Sequence, residues 1–230
     1  MNKSNKTILV TGSGTGIGQA VARKFAKLGY NIIILGRRKE PLIDASNILK
    51  QIITDEKFES SVTYYPGVDV SDFEAINKMF DKIGTDFGHI DIIVNNAGVS
   101  GPVKIFTNSS YQEFKDCVSI HLTGTFWTSI KSLEVLNHTG KIITISTFFT
   151  EENKYEQRPY RFRTPYTAAQ GAKNRLSECL SWELVEKGIK AGDIDPRGER
   201  GYCDSISDKS RAIAGGVLEA VLHSLSDLHS

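Results

Sequence analysis

The chain has 230 residues, 40% of them hydrophobic. That is enough to bury one substantial core, and α/β folds of this size commonly stay undivided, so residues 1–230 are expected to form a single domain. Its 28 Lys and Arg against 27 Asp and Glu leave a net charge of +1, without the one-signed field that suits nucleic acid or an anionic membrane, and a small-molecule partner is expected instead. Met1-Asn2-Lys3-Ser4-Asn5-Lys6 lacks the apolar core of a secretory signal, and no later apolar run would cross a bilayer. Cys117, Cys179 and Cys203 are widely separated, which disfavours a disulfide framework and a zinc site; the expectation is a cytoplasmic protein without metal, with Cys117 and Cys179 packed on helices.

In chain order, Thr7 to Val10 is a short β-branched run, followed by a Gly-rich turn and by Ile17, Val21, Phe25 and Leu28 at helical spacing. Gly29 stops that helix, and Asn31 to Leu35 is a continuous apolar run of the kind a parallel strand shows when both faces are covered. The alternation continues with a helix Pro41 to Ile53, a strand Val62 to Tyr65, a helix Asp72 to Phe87 and a strand Ile90 to Val94. A long helix Ser110 to Leu136 then precedes a strand Lys141 to Ile145, and a helix Pro165 to Lys187 precedes a weaker strand Ile189 to Ile194. A last helix, Lys209 to Leu225, ends the reading. This pattern predicts an α/β fold with a doubly wound parallel sheet, Rossmann-type, of strand order 3-2-1-4-5-6. The irregular segments Thr147 to Thr164 and Asp195 to Lys209 follow strand C-termini, where such sheets place their ligands.

The first turn reads Thr11-Gly12-Ser13-Gly14-Thr15-Gly16-Ile17-Gly18. It fails the common G-x-G-x-x-G spacing but satisfies T-G-x-x-x-G-x-G through Gly12, Gly16 and Gly18. Glycines there permit a tight turn and let backbone N–H groups approach a pyrophosphate at a helix N-terminus; taken alone, the turn also reads as a plain strand-to-helix connection. Asp69-Val70 follows the third strand and Asn95-Asn96-Ala97-Gly98 the fourth. Together these motifs resemble the short-chain dehydrogenase/reductase family over about Thr7 to Pro196. The resemblance implies a nicotinamide dinucleotide held by the residues from Gly12 to Gly18, by Asp69 at the adenine amino group with Val70, and by Asn95, Ala97 and Gly98 on the adenine-ribose side. Tyr166, Gln170 and Pro196 would complete the contacts.

Cofactor choice in such folds is read at the end of the second strand, where an acid accepts the ribose hydroxyls of NAD. Gly36 stands there, followed by Arg37 and Arg38. A guanidinium matches a 2′-phosphate in charge and geometry, so NADP is expected, with NAD as the alternative and two solvated arginines as the bland reading.

The family's catalytic pattern is only partly present. Tyr166 begins the expected Y-x-x-x-K, but Gln170 occupies the lysine place, and Lys173 is the nearest lysine, about 4.5 Å further along the axis. Thr147 stands where the family has serine, keeping a hydroxyl, and His121 where it has asparagine. Tyr160 is the rival proton donor. A neutral Gln170 could orient a ribose but not stabilise a phenolate. Carbonyl reduction needs a protonated phenol, which an ordinary tyrosine with pKa about 10 supplies, so reduction should survive these changes better than oxidation.

The run Pro196-Arg197-Gly198 lacks the threonine that follows Pro-Gly in relatives, and the sheet is expected to lack the family's usual seventh strand. The expected function is therefore NADP(H)-dependent reduction of a small carbonyl substrate. The alternative is a weakly active or inactive dinucleotide-binding protein acting as a sensor or non-catalytic subunit; an epimerase or dehydratase has no positive support. Arg158, Arg161 and Arg163 read as a solvated loop or as contacts to an acidic substrate. Relatives pair through their long crossover helices, so a homodimer or homotetramer is expected through Phe114, Val118, Leu122, Phe126, Leu176, Leu180 and Leu184.

Overall fold

The computed structural model describes residues 6–147 and 161–194. Six strands, β1 (Thr7–Thr11), β2 (Asn31–Gly36), β3 (Val62–Pro66), β4 (Ile90–Asn95), β5 (Leu136–Ile145) and β6 (Lys190–Ile194), form one sheet in the order β3-β2-β1-β4-β5-β6. All five pairings are parallel. The expected Rossmann-type order is therefore the observed one. The helices are α1 (Gly16–Ala26), α2 (Lys39–Asp55), α3 (Phe73–Phe87), α4 (Tyr111–Val118), α5 (Gly124–Ser132) and α6 (Thr164–Glu183).

The continuous apolar runs of β1, β2 and β4 are explained by burial on both faces. Alternate residues point to opposite sides: Ile8, Val10, Ile32, Ile34, Ile92 and Val94 meet Val21, Phe25, Leu42 and Leu49 from α1 and α2. Leu9, Ile33, Leu35, Ile93 and Ile142 meet Ile76, Phe80 and Ile83 from α3. Each such side chain contributes about 1.5–3 kcal/mol when fully buried, so the two clusters fix the sheet and hold its C-terminal rim in place.

The region expected to be one long helix is divided. Ser110 starts α4 with a capping box: its hydroxyl accepts the Glu113 N–H at 3.2 Å, and the Glu113 carboxylate accepts the Ser110 N–H at 2.9 Å. A π-helical turn, Ser119–Thr123, then joins α4 to α5. The helix ends at Ser132 rather than Leu136, because the next residues are drawn into the sheet: the Ile90 N–H donates to the Val135 carbonyl at 2.8 Å and Leu136 pairs with Ile90. Strand β5 thus begins at Leu136, earlier than the expected Lys141, with a register shift between Ile90 and Ile92.

Cys117 is buried as expected, whereas Cys179 is exposed, on the outer side of α6; a cysteine's helical position alone does not say which way it faces. Cys203, the helix Lys209 to Leu225 and the question of a seventh strand lie outside the described residues. Among the described residues no helix is long and apolar enough to cross a membrane.

Candidate active site

The C-terminal ends of β1, β2, β4 and β5 surround a cavity of about 500 Å³, at the point where the strand order reverses between β1 and β4. Gly12, Gly14, Thr15 and Ile17 line it from the first turn. Gly12 has φ +64°, and a Cβ there would stand 2.8 Å from Ala97 Cα, so the turn and the segment after β4 approach to backbone distance. Gly18 has no room for a side chain either: a Cβ would meet the Gly12 carbonyl oxygen at 2.8 Å. Gly16 has φ +63° and open space around it, and so serves the turn conformation. Ser13 is fully buried and donates its hydroxyl to the Val10 carbonyl at 2.9 Å, which makes it a brace of the turn.

Helix α1 opens with no side-chain cap at Thr15 and no acidic residue in its first turn. Its N-terminal N–H groups are thus left for an anion, a pyrophosphate in particular.

Thr11 and Asn96, which stand in the two motifs without an assigned contact, tie this turn to β4. Thr11 Oγ1 accepts the N–H groups of Asn96 and Ala97 at 2.9 and 2.8 Å, and Asn96 Nδ2 donates back to the Thr11 carbonyl at 2.9 Å. Asn95, which was expected to face the cofactor, points the other way, donating its amide to Ser129 Oγ at 2.9 Å; Asn96 lines the cavity in its place. Ala97 and Gly98 line it as well.

At the β2 end, Gly36, Arg37 and Arg38 border the cavity with Asp69 and Val70. Arg37 Nη1 lies 3.5 Å from Asp69 Oδ2, with the Arg37 side chain 57% exposed, so this ion pair is open to water and easily exchanged for another anion. Arg38 donates to Thr15 Oγ1 at 3.5 Å.

The opposite end of the cavity is lined by Tyr166, Gln170, His121 and Thr147. Tyr166 and Gln170 lie one turn apart on α6, and Gln170 Nε2 donates to the Tyr166 hydroxyl oxygen at 3.0 Å. The Gln170 Oε1 atom is buried with no hydrogen-bond partner among the described residues. A buried acceptor of this kind fits a ribose hydroxyl of the expected dinucleotide. Thr147 is buried at the end of β5, and the neighbouring Ser146 hydroxyl bonds Asn174 of α6. His121 sits on the π turn, which rotates it toward the segment after β4. Its Nε2 lies 2.8 Å from the Val99 carbonyl, its ring stands edge-on to Tyr166 at 5.3 Å, and its Nδ1 is buried without a partner among the described residues. Burial first, then the charge of Lys173, push the His121 pKa down to about 4 against the favourable bond to Val99. The imidazole is neutral at pH 7, and its Nε2 faces both the Val99 carbonyl at 2.8 Å and the Val99 N–H at 3.2 Å, so the tautomer sets which of the two it bonds.

Lys173 is the departure from expectation. Its side chain is 2% exposed, faces the sheet from α6, lines the same cavity, and donates from Nζ to the Ile145 carbonyl at 2.6 Å. Desolvation pushes its amine down to about 7, opposed by the carboxylate of Asp193 on β6. Burial likewise raises the Asp193 pKa. Tyr160, Arg158 and Pro196 lie outside the described residues. Arg163 lines the cavity and donates to the Ser100 carbonyl at 2.8 Å, while Arg161 stacks on Phe162 instead.

A family profile described as short chain dehydrogenase matches residues 6–202. An uncharacterized oxidoreductase of Staphylococcus aureus is 27% identical over 235 residues, covering 97% of this chain and 92% of the relative. Among solved structures, an NAD+-bound xylitol dehydrogenase is 26% identical with a TM-score of 0.75, covering 85% of this chain and 71% of that one. A metagenomic short-chain oxidoreductase in complex with NADP is 21% identical with a TM-score of 0.74, covering 93% and 90%, and shares the fold. The chain belongs to the short-chain dehydrogenase family of oxidoreductases, built on a Rossmann-type nucleotide-binding fold.

Proposed function

We propose that this protein is an NADP(H)-dependent reductase of small carbonyl compounds, with Tyr166 as the proton donor. The observation that carries the reading is the cavity itself. One end presents Arg37 and Arg38 beside Gly36, and the other a tyrosine hydroxyl fixed by Gln170.

A reduced nicotinamide dinucleotide, when bound, supplies the hydride for such a reduction. The open N–H groups of α1 and the close approach of Gly12 to Ala97 suit its pyrophosphate. Arg37 would exchange its water-exposed partner Asp69 for the 2′-phosphate, which matches a forked guanidinium in charge and geometry. Gln170 Oε1 would accept from a ribose hydroxyl, while its N–H, by donating to the phenol oxygen, leaves the phenol's own proton free to be given to a substrate. Thr147 supplies a second hydroxyl for the carbonyl oxygen. Developing negative charge on that oxygen is met by the Tyr166 proton, and the neutral His121 neither competes as an acid nor adds charge.

Binding of NADPH and NADH compared by fluorescence, followed by NADPH loss over a panel of aldehydes, ketones and thioesters, tests the reading. Tighter NADPH binding and turnover of at least one carbonyl class are expected. Tight NADPH binding without turnover of any member would instead favour a dinucleotide-binding protein without reductase activity.

A further inference from the structure

Arg37, Arg38 and Arg163 reach the cavity from its partly or fully exposed rim; the cation at its floor is Lys173. The ammonium uses one of its three N–H donors on the Ile145 carbonyl, at the end of the strand that delivers Ser146 and Thr147. Gln170, one turn earlier on the same helix, is the neutral residue that touches the tyrosine. The charge of this site is thus held behind the phenol rather than beside it.

We propose that Lys173 is a proton-linked cation of the dinucleotide pocket, so that binding of the anionic cofactor is accompanied by proton uptake at its amine. The inference rests on the dinucleotide reading above, though not on turnover. Burial at the cavity floor disfavours the charged form of the amine, and a multiply charged anion entering the same cavity favours it. By reciprocity, protonation must favour the anion equally.

The groups around Lys173 leave it as the titrating member. The Asp193 carboxylate on β6 favours the charged amine, while the Ser146 hydroxyl beside it is committed to Asn174. His121 on the π turn is neutral above about pH 4. Helix α4 contributes Cys117, whose thiol burial pushes up, with Asp116 and Glu113 acting on it. On α6 itself, Glu178 acts on Asp193. Among the described residues, the end of β5 offers Ile145, Ser146 and Thr147.

Calorimetric titration of NADPH in two buffers of different ionisation enthalpy counts the protons taken up. Between pH 7 and 9 the 2′-phosphate, with a second pKa of about 6, is already ionised and does not contribute. Wild type is expected to take up a substantial fraction of one proton and to lose affinity across that range, about tenfold for each unit by which binding raises the amine's pKa. Lys173→Met should show neither effect, while Lys173→Arg should bind NADPH without proton uptake because its guanidinium stays charged. Equal uptake in wild type and Lys173→Met overturns the proposal while leaving the dinucleotide reading intact. No heat with either NADPH or NADH overturns both. Should Lys173→Met fail to fold, lysine-selective NMR of wild type reads the same event: a lysine resonance titrating near neutrality must move to higher pH on adding NADPH, and its failure to move overturns the proposal.

Discussion

Tyr166 takes its hydrogen bond from an amide, and an amide can orient a phenol without stabilising the phenolate. In the proposed chemistry this favours reduction, which needs the phenol protonated, over alcohol oxidation, which needs it ionised. Gln170→Lys places an ammonium next to the hydroxyl, each unit of lowered phenol pKa being worth about 1.4 kcal/mol. The ratio of oxidation to reduction, measured at one pH, should therefore rise about tenfold or more. An unchanged ratio would mean that the amide is not what sets the direction. At the other end of the cavity, Arg37 can give a 2′-phosphate a charge-assisted bond worth about 1.5–3 kcal/mol. Arg37→Ala should weaken NADPH binding by about ten- to a hundredfold and leave NADH nearly unchanged, as read by fluorescence titration. Equal losses for both would remove Arg37 from cofactor choice.

Between β1 and α1 the backbone is packed so closely that side chains are excluded. Gly18→Ala places a methyl 2.8 Å from the Gly12 carbonyl oxygen, and overpacking of this kind costs about 1–3 kcal/mol. Both thermal stability and dinucleotide affinity should fall. Gly67→Ala is the comparison, because Gly67 has φ +78° with open space around it; only the left-handed backbone cost of about 1–2 kcal/mol is expected, with binding intact. If Gly18→Ala binds as wild type does, the turn is looser than its packing implies. These tight places are legible in the sequence, as are strands β1, β2 and β4 and the glycine turn, because buried parallel strands and left-handed turns each demand a narrow set of residues. Helix boundaries were less legible: Leu133 to Leu136 continues the helical spacing of α5, and only pairing with Ile90 pulls Leu136 into β5. Asn95 and Asn96 are chemically identical neighbours, and the alternation of a strand end decides which of them faces the cavity. Lys173 was read as the nearest lysine and given no role, since nothing in a linear charge pattern marks a lysine that faces inward.

At the scale of the whole molecule, the outer helices carry apolar side chains that the described residues leave in water. Phe114, Phe126 and Trp182 are 41%, 43% and 82% exposed, on α4, α5 and α6. Leu180 and Leu184 instead pack on the sheet core, so the wider stripe read from the sequence is shared between two faces. A homodimer or homotetramer burying the outer set is predicted at micromolar concentration by light scattering, with Trp182→Glu plus Phe126→Glu shifting the mass toward a monomer. A monomeric wild type would contradict that assembly. The same fold brings the arginines after β2 and the tyrosine of α6 to opposite ends of one cavity, and the proposed reaction needs both ends at once. NADPH-dependent reduction by wild type and Tyr166→Phe, over the same carbonyl panel, is the most direct measurement of that claim. A general acid contributes about 10²–10⁴-fold, so the account predicts a loss of at least about a hundredfold in Tyr166→Phe with NADPH binding retained; full activity in Tyr166→Phe would contradict it.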